Sequence, residues 1–154
     1  MLTATWWARP RAASATAAPN CYTPWCICMC GTRAELYLQH RPAWKDIQPD
    51  KWDTAVGGHV DLGEDIATAL RREVKEELGL TDFEPEFLTQ YLFESERERE
   101  LVHVFRTVTD VPPAPTSELD GGRFFTVAEI EARLGTDFFT PNFEGEWRRL
   151  QALA

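Results

Sequence analysis

The most constraining stretch of the 154-residue chain runs from Gly58 to Leu80, G-H-V-D-L-G-E-D-I-A-T-A-L-R-R-E-V-K-E-E-L-G-L. Ile66, Leu70, Val74 and Leu78 recur every fourth residue, the spacing of a helix that buries one stripe, so a helix is predicted over Asp65–Leu78. Gly79 is a stop signal, and Glu64 and Asp65 suit the positive N-terminal end. At about 100° per residue, Glu73, Glu76 and Glu77 fall together on one flank of the apolar stripe. Three carboxylates this close repel one another. Arg71, Arg72 and Lys75 lie largely on other sides, so the cluster makes sense if a hard divalent cation neutralises it. Mg²⁺ takes one or two carboxylates together with waters and phosphate oxygens. Gly57-Gly58 permits close backbone approach at the helix entrance. An ordinary acidic helix that ends in glycine is the competing reading.

Around this helix the chain mixes strands and helices. Strands are expected at Ala34–His40, Phe87–Phe93, Leu101–Val108 and Arg123–Phe125, and helices at Val127–Leu134 and Phe143–Leu153. Arg41–Lys51 and the Pro-rich Val111–Ser117 read as loops, and Thr54–Leu62 as an extended run through Gly57-Gly58. This order suggests an α/β or α+β sandwich in one domain. All 25 acidic residues lie at or after Glu35, against 13 Lys and Arg there. So acidic a domain is a poor binder of nucleic-acid polymers, though it can bind phosphates through divalent cations. No run of 18 apolar residues exists, so no membrane partner is expected and a cytoplasmic location is.

The Gly58–Leu80 stretch resembles the signature of the Nudix hydrolase family, G-x5-E-x7-R-E-U-x-E-E-x-G-U, with U aliphatic. Gly58, Glu64, Arg72, Glu73, Val74, Glu76, Glu77, Gly79 and Leu80 meet every position. A chance match is on the order of one in a million. The resemblance implies an α/β/α sandwich with a mixed sheet, and Mg²⁺- or Mn²⁺-dependent attack of water on a diphosphate linked to another small moiety. It places Glu73, Glu76 and Glu77 on the metal, adds Glu64 and Gly58 to the metal site, and makes Arg72 a structural salt-bridge partner. Glu76, Glu77, Glu100 and the loop residue Glu118 are the catalytic candidates.

A wider similarity over about residues 34–147 points to the Nudix branch nearest isopentenyl-diphosphate isomerase. It rests on L-Y-L-Q-H-R-P-A-W-K-D, W-D-T-A-V-G-G-H-V and F-T-P-N-F-E-G-E-W. That isomerase uses a Cys, a metal-binding His two residues later, and a strand E-x-E-x-x-x-V-F. Here Gly57 stands at the Cys position, while His59, Glu98 and Glu100 match the remainder and form a possible second metal site. Glycine cannot deliver a proton to an alkene, so hydrolysis is favoured over isomerisation. A non-catalytic nucleotide-binding module is a third reading, opposed by the intact glutamates. Trp44, Trp52 and Phe93 are candidates to stack on a base or line an isoprenoid site.

Residues 1–33 form an atypical segment ahead of a domain expected over 34–154. Up to residue 34 there is no acid, yet there are all four cysteines and three of the six tryptophans. The spacing C-x4-C-x-C-x-C from Cys21 to Cys30 is a weak zinc pattern. In this branch the corresponding segment resembles A-T-R-G-x-C-H-x-G-S-K-L-L-H-P-V-V-H-L-H-V. Shifting the reading frame back by one nucleotide makes every residue from Pro10 to Cys30 compatible with that peptide. Trp is encoded only by TGG and Met only by ATG, which with a Cys codon forces Val at the shifted positions of Cys26 and Cys30. The segment therefore reads as the out-of-frame form of the family's own N-terminus, in preference to a transit peptide or a dedicated Cys-rich strand; the coding DNA decides between them. Two isomerase-type metal histidines would then fall at Thr16 and Thr23. The stretch W-C-I-C-M-C is expected to pair as a strand whose alternation no longer matches a designed inner face, with lower stability.

Overall fold

The computed structural model describes residues 22–117 and 119–153. Its strands are β1 (Thr23–Gly31), β2 (Glu35–His40), β3 (Trp52–Thr54), β4 (Val56–His59), β5 (Glu86–Glu94), β6 (Arg99–Val108) and β7 (Gly122–Thr126). Its helices are α1 (Ile66–Leu78), α2 (Val127–Glu131) and α3 (Pro141–Ala152). The seven strands form one mixed sheet ordered β3-β2-β1-β6-β5, with β4 added to β1 and β7 to β2. β1 runs parallel to β6 and antiparallel to β2 and β4.

Burial on both faces of β1 creates the layers. Cys26, Cys28 and Cys30 face a core built with Ala69, Leu70, Val74 and Leu78 of α1. Ile27 and Met29 face the opposite core, which holds Phe143, Trp147 and Leu150 of α3. An α/β/α sandwich results, as expected from the sequence. β1 itself corrects one expectation. Its alternation suits the fold, because small thiols pack under α1 while longer Ile27 and Met29 fill the α3 side. This central strand lies upstream of the boundary placed at residue 34.

α1 begins and ends where its caps dictate. The Asp65 carboxylate accepts the Thr68 backbone N–H at 2.7 Å, and Gly79 sits at φ 67°, a conformation that costs glycine little. α3 starts two residues earlier than expected, because Thr140 caps it and Pro141 supplies a preset first turn. α2 is shorter than Val127–Leu134. The Thr126–Glu129 capping box starts it, and the following turns break the helical ladder, with Thr136 Oγ1 donating to the Arg133 carbonyl at 2.6 Å. The extended run at Thr54–Leu62 divides into β3 and β4 on either side of Ala55. Among the described residues no helix is long and apolar enough to cross a membrane.

Candidate active site

The three box glutamates stand on α1 beside the end of β4. Gly58 faces Glu73 directly: a β-carbon at Gly58 would lie 2.0 Å from the Glu73 carboxyl carbon. Side chain and strand can therefore meet only at a glycine. The Gly58 carbonyl accepts from the Cys26 thiol at 3.6 Å. Burial, reinforced by Glu73, pushes that thiol up to about 12, so it stays a donor.

Arg72 occupies the centre of the acidic group, a correction to the helical-wheel placement of its side chain on another side. Its guanidinium reaches Glu73 at 2.8 Å, Glu64 at 3.1 Å, Glu76 at 3.4 Å and Asp61 at 3.6 Å, and donates to the His59 carbonyl at 3.0 Å. A long flexible side chain reaches across the wheel, which Cα angles do not register. One cation thus serves four carboxylates and ties α1 to the end of β4. Burial pushes the Glu73 carboxyl above its ordinary range, while Arg72 pulls the other way.

Among the described residues no three His, Cys, Asp or Glu side chains are arranged to hold an ion as they stand. The donor chemistry nevertheless fits a hard divalent cation. Glu64, Glu73, Glu76 and Glu77 offer carboxylate oxygens and Gly58 a carbonyl, and the β-carbon missing at Gly58 leaves the Glu73 carboxylate its place against β4.

Glu77 also lines a cleft of about 240 Å³. Trp25, Ile27 and Val56 form its apolar wall, and Arg41 and Lys45 stand at one side. Gln39, Asp53, Thr54, Asn142 and Glu146 supply the rest of its polar lining. Glu146 is 5% exposed; its carboxyl accepts from the Thr54 hydroxyl and from the Tyr91 hydroxyl at 3.0 Å. Burial first, and Asp53 second, push it up to about 8. Asp53 accepts from Thr140 Oγ1 at 2.8 Å and lies 3.7 Å from Arg41. Burial raises the Asp53 carboxyl too.

The isomerase-type residues gather elsewhere. His59 Nε2 lies 3.8 Å from Glu100, whose carboxyl is raised by burial and then by Glu98. Glu98 is exposed in the turn that starts at Ser95 and does not complete a three-ligand group. Thr23 pairs with Glu100 across β1 and β6, so this spot lacks the imidazole that the family segment would supply; Thr16 lies outside the described residues. Trp25 stands edge-on to His59, with ring centres 4.3 Å apart, and itself lines the cleft, whereas His59 and Glu100 are not among the lining residues. A β-carbon at Gly57 would meet Trp25 Nε1 at 3.4 Å, so the indole covers the position of the isomerase cysteine.

The remaining candidates separate as follows. Glu118 lies outside the described residues. Trp52 stacks on Phe138 and meets Phe125 edge-on, and Phe93 packs against the α3-side core; both are packing residues. Trp44 is 71% exposed. Sequence reasoning missed Trp25, Asp53, Tyr91 and Glu146 as cleft residues or their partners. For Glu146 a signal existed: it falls on the apolar stripe of α3 with Phe143, Trp147 and Leu150.

Comparison with known proteins agrees with this geometry. Residues 23–143 match the NUDIX domain family. The chain is 31% identical to isopentenyl-diphosphate Delta-isomerase 1 of Photorhabdus laumondii over 125 residues, covering 75% of this chain and 71% of that protein. It is 34% identical to an uncharacterised Nudix hydrolase of Streptomyces coelicolor over 121 residues, covering 76% of this chain and 66% of the relative. Among solved structures it resembles DR0079 of Deinococcus radiodurans, with TM-score 0.70 and 22% identity, over 83% of this chain and 82% of the other, a likeness of fold. Signature, fold and family match agree, and the chain belongs to the Nudix hydrolase family.

Proposed function

We propose that this protein is a metal-dependent pyrophosphohydrolase that cleaves the diphosphate bond of a nucleoside-diphosphate-X or similar small molecule. One observation carries the reading: Glu73 meets Gly58 near the end of β4, and Glu77, one helical turn further along α1, lines the cleft. Glu73, Glu76 and Glu77 hold Mg²⁺ or Mn²⁺, with Glu64 and the Gly58 carbonyl beside them. The chemistry such an ion would supply there is neutralisation of charge on the diphosphate and acidification of the attacking water. Arg72 fixes Glu64 and Glu73 through its network and locks α1 to the His59 carbonyl. Lys45 supplies a cationic N–H group to phosphate oxygens, while Arg41 is engaged by the Ile47 and Gln48 carbonyls at 2.8 and 3.1 Å and by Asp53. Of the catalytic candidates described, Glu77 borders the cleft, Glu76 is exposed beside Arg72, and Glu100 lies against His59, outside the cleft lining. Proton removal from the attacking water is therefore assigned to the Glu77 part of the cleft.

An isopentenyl-diphosphate isomerase-like activity is the second reading, favoured by the His59–Glu100 pair and the 31% identity to such an enzyme. Gly57 under the Trp25 indole opposes it, because no proton donor occupies that position. Incubating diphosphate-linked compounds, including isopentenyl diphosphate, with Mg²⁺ separates the two. Cleavage of the diphosphate in at least one compound is expected. Allylic isomer without cleavage would replace the hydrolase reading with the isomerase one.

A further inference from the structure

The cleft lining has two unlike parts. One is at Glu77, where the proposed diphosphate chemistry takes place. The other is a buried polar floor that the chemistry does not use, formed by Glu146 with Gln39, Asp53 and Thr54. Gln39 is itself engaged, donating to the Thr54 carbonyl at 3.0 Å. The Glu146 carboxyl is held between hydroxyls from two separate elements, Thr54 of β3 and Tyr91 of β5. An acidic side chain on the apolar stripe of a helix, fixed this way and bordering a cleft, has the form of a recognition group.

We propose that Glu146 is a specificity residue, whose carboxyl receives a head group carrying an N–H or O–H donor beside an acceptor, as a nucleobase edge does, and rejects a hydrocarbon chain. The inference rests on the diphosphate reading above and adds to it which moiety the polar floor of the cleft takes. A carboxyl that keeps its proton offers one donor and one acceptor side by side. Burial and Asp53 favour that form near neutral pH. A hydrocarbon tail would lie against this polar floor and return no hydrogen bond to it.

The test reads binding, so it does not depend on turnover. Dissociation constants are measured by calorimetry with Mg²⁺ at pH 6.5. The ligands are the α,β-methylene analogues of ADP, CDP, GDP and UDP, methylenediphosphonate, and isopentenyl diphosphate. At least one nucleoside analogue is expected to bind tenfold or more tighter than both methylenediphosphonate and isopentenyl diphosphate. Glu146→Leu removes that preference and leaves methylenediphosphonate binding unchanged, which also reports an intact fold. Glu146→Gln retains the preference, because an amide also offers a donor and an acceptor. Tyr91→Phe, which deletes one of the orienting hydroxyls, weakens the nucleoside analogue only. Isopentenyl diphosphate binding as tightly as the nucleosides, or Glu146→Gln losing the preference as fully as Glu146→Leu, overturns the inference and leaves the diphosphate reading standing. Failure of every compound to bind removes both.

Discussion

Glu146 gives the structure its sharpest consequence for stability. Its carboxyl is pushed up to about 8 in the folded protein, first by burial and then by Asp53, whereas an unfolded chain returns it to its ordinary value of 4.5. A folded pKa raised above the unfolded one means that the native state binds the extra proton. Stability from that proton is fully present below about pH 4.5 and is lost as pH rises towards 8. At about 1.4 kcal/mol per pH unit for one proton, the loss between pH 5 and pH 8 comes to about 3–4 kcal/mol. Glu146→Gln keeps the shape of the side chain and cannot titrate, so every group other than its neighbour Asp53 contributes equally to both proteins. Urea unfolding at pH 5, 6.5 and 8 should show the wild type losing stability relative to Glu146→Gln, mostly above pH 6. Parallel pH profiles for the two proteins would refute the reasoning, since they would mean that Glu146 titrates alike folded and unfolded.

Other consequences follow from the box and from β1. Gly58→Ala places a methyl group on the Glu73 carboxylate; because a flexible side chain yields, unfolding should change by only about 1 kcal/mol while diphosphate cleavage falls at least about tenfold. Arg72→Met leaves Glu64, Glu73 and Glu76 without their shared cation, so stability in chelator should drop by about 1–3 kcal/mol and recover more with Mg²⁺ than the wild type does; an Mg²⁺ response equal to wild type counts against the metal reading. The thiols of Cys26, Cys28 and Cys30 are buried, and those of Cys26 and Cys30 are pushed up to about 12, so a thiol reagent at pH 8 should label these three only after denaturation.

The parts of this molecule legible in its sequence are those governed by local rules. The four-residue apolar repeat and its caps located α1 to within a residue, because a buried stripe and a terminal glycine suffice to define a helix. The strands β2, β5, β6 and β7 lie within two residues of their expected bounds for the same local reason. What escaped depends on contacts distant in sequence. Glu146 meets Thr54 across 92 residues and Tyr91 across 55, so its place on the apolar stripe of F-E-G-E-W marks it as buried but does not name the partners that make the cleft floor. Arg72 escaped through side-chain length, since a helical wheel places its Cα and not its guanidinium. The folding demand on β1 is modest: a strand covered on both faces needs apolar residues of suitable size, and W-C-I-C-M-C supplies them. What β1 brings to the site is Trp25 beside Gly57 and Thr23 opposite Glu100.

The central claim is that the acidic flank of α1 uses a divalent metal to cleave a diphosphate. The most direct measurement compares phosphate-ester products from a panel of diphosphate-linked small molecules, with Mg²⁺ and with chelator, for the wild type and Glu77→Gln. The account predicts cleavage of at least one compound, abolished by chelator and reduced by about a hundredfold or more in Glu77→Gln. Cleavage that persists in chelator, or that Glu77→Gln leaves at the wild-type rate, would contradict it.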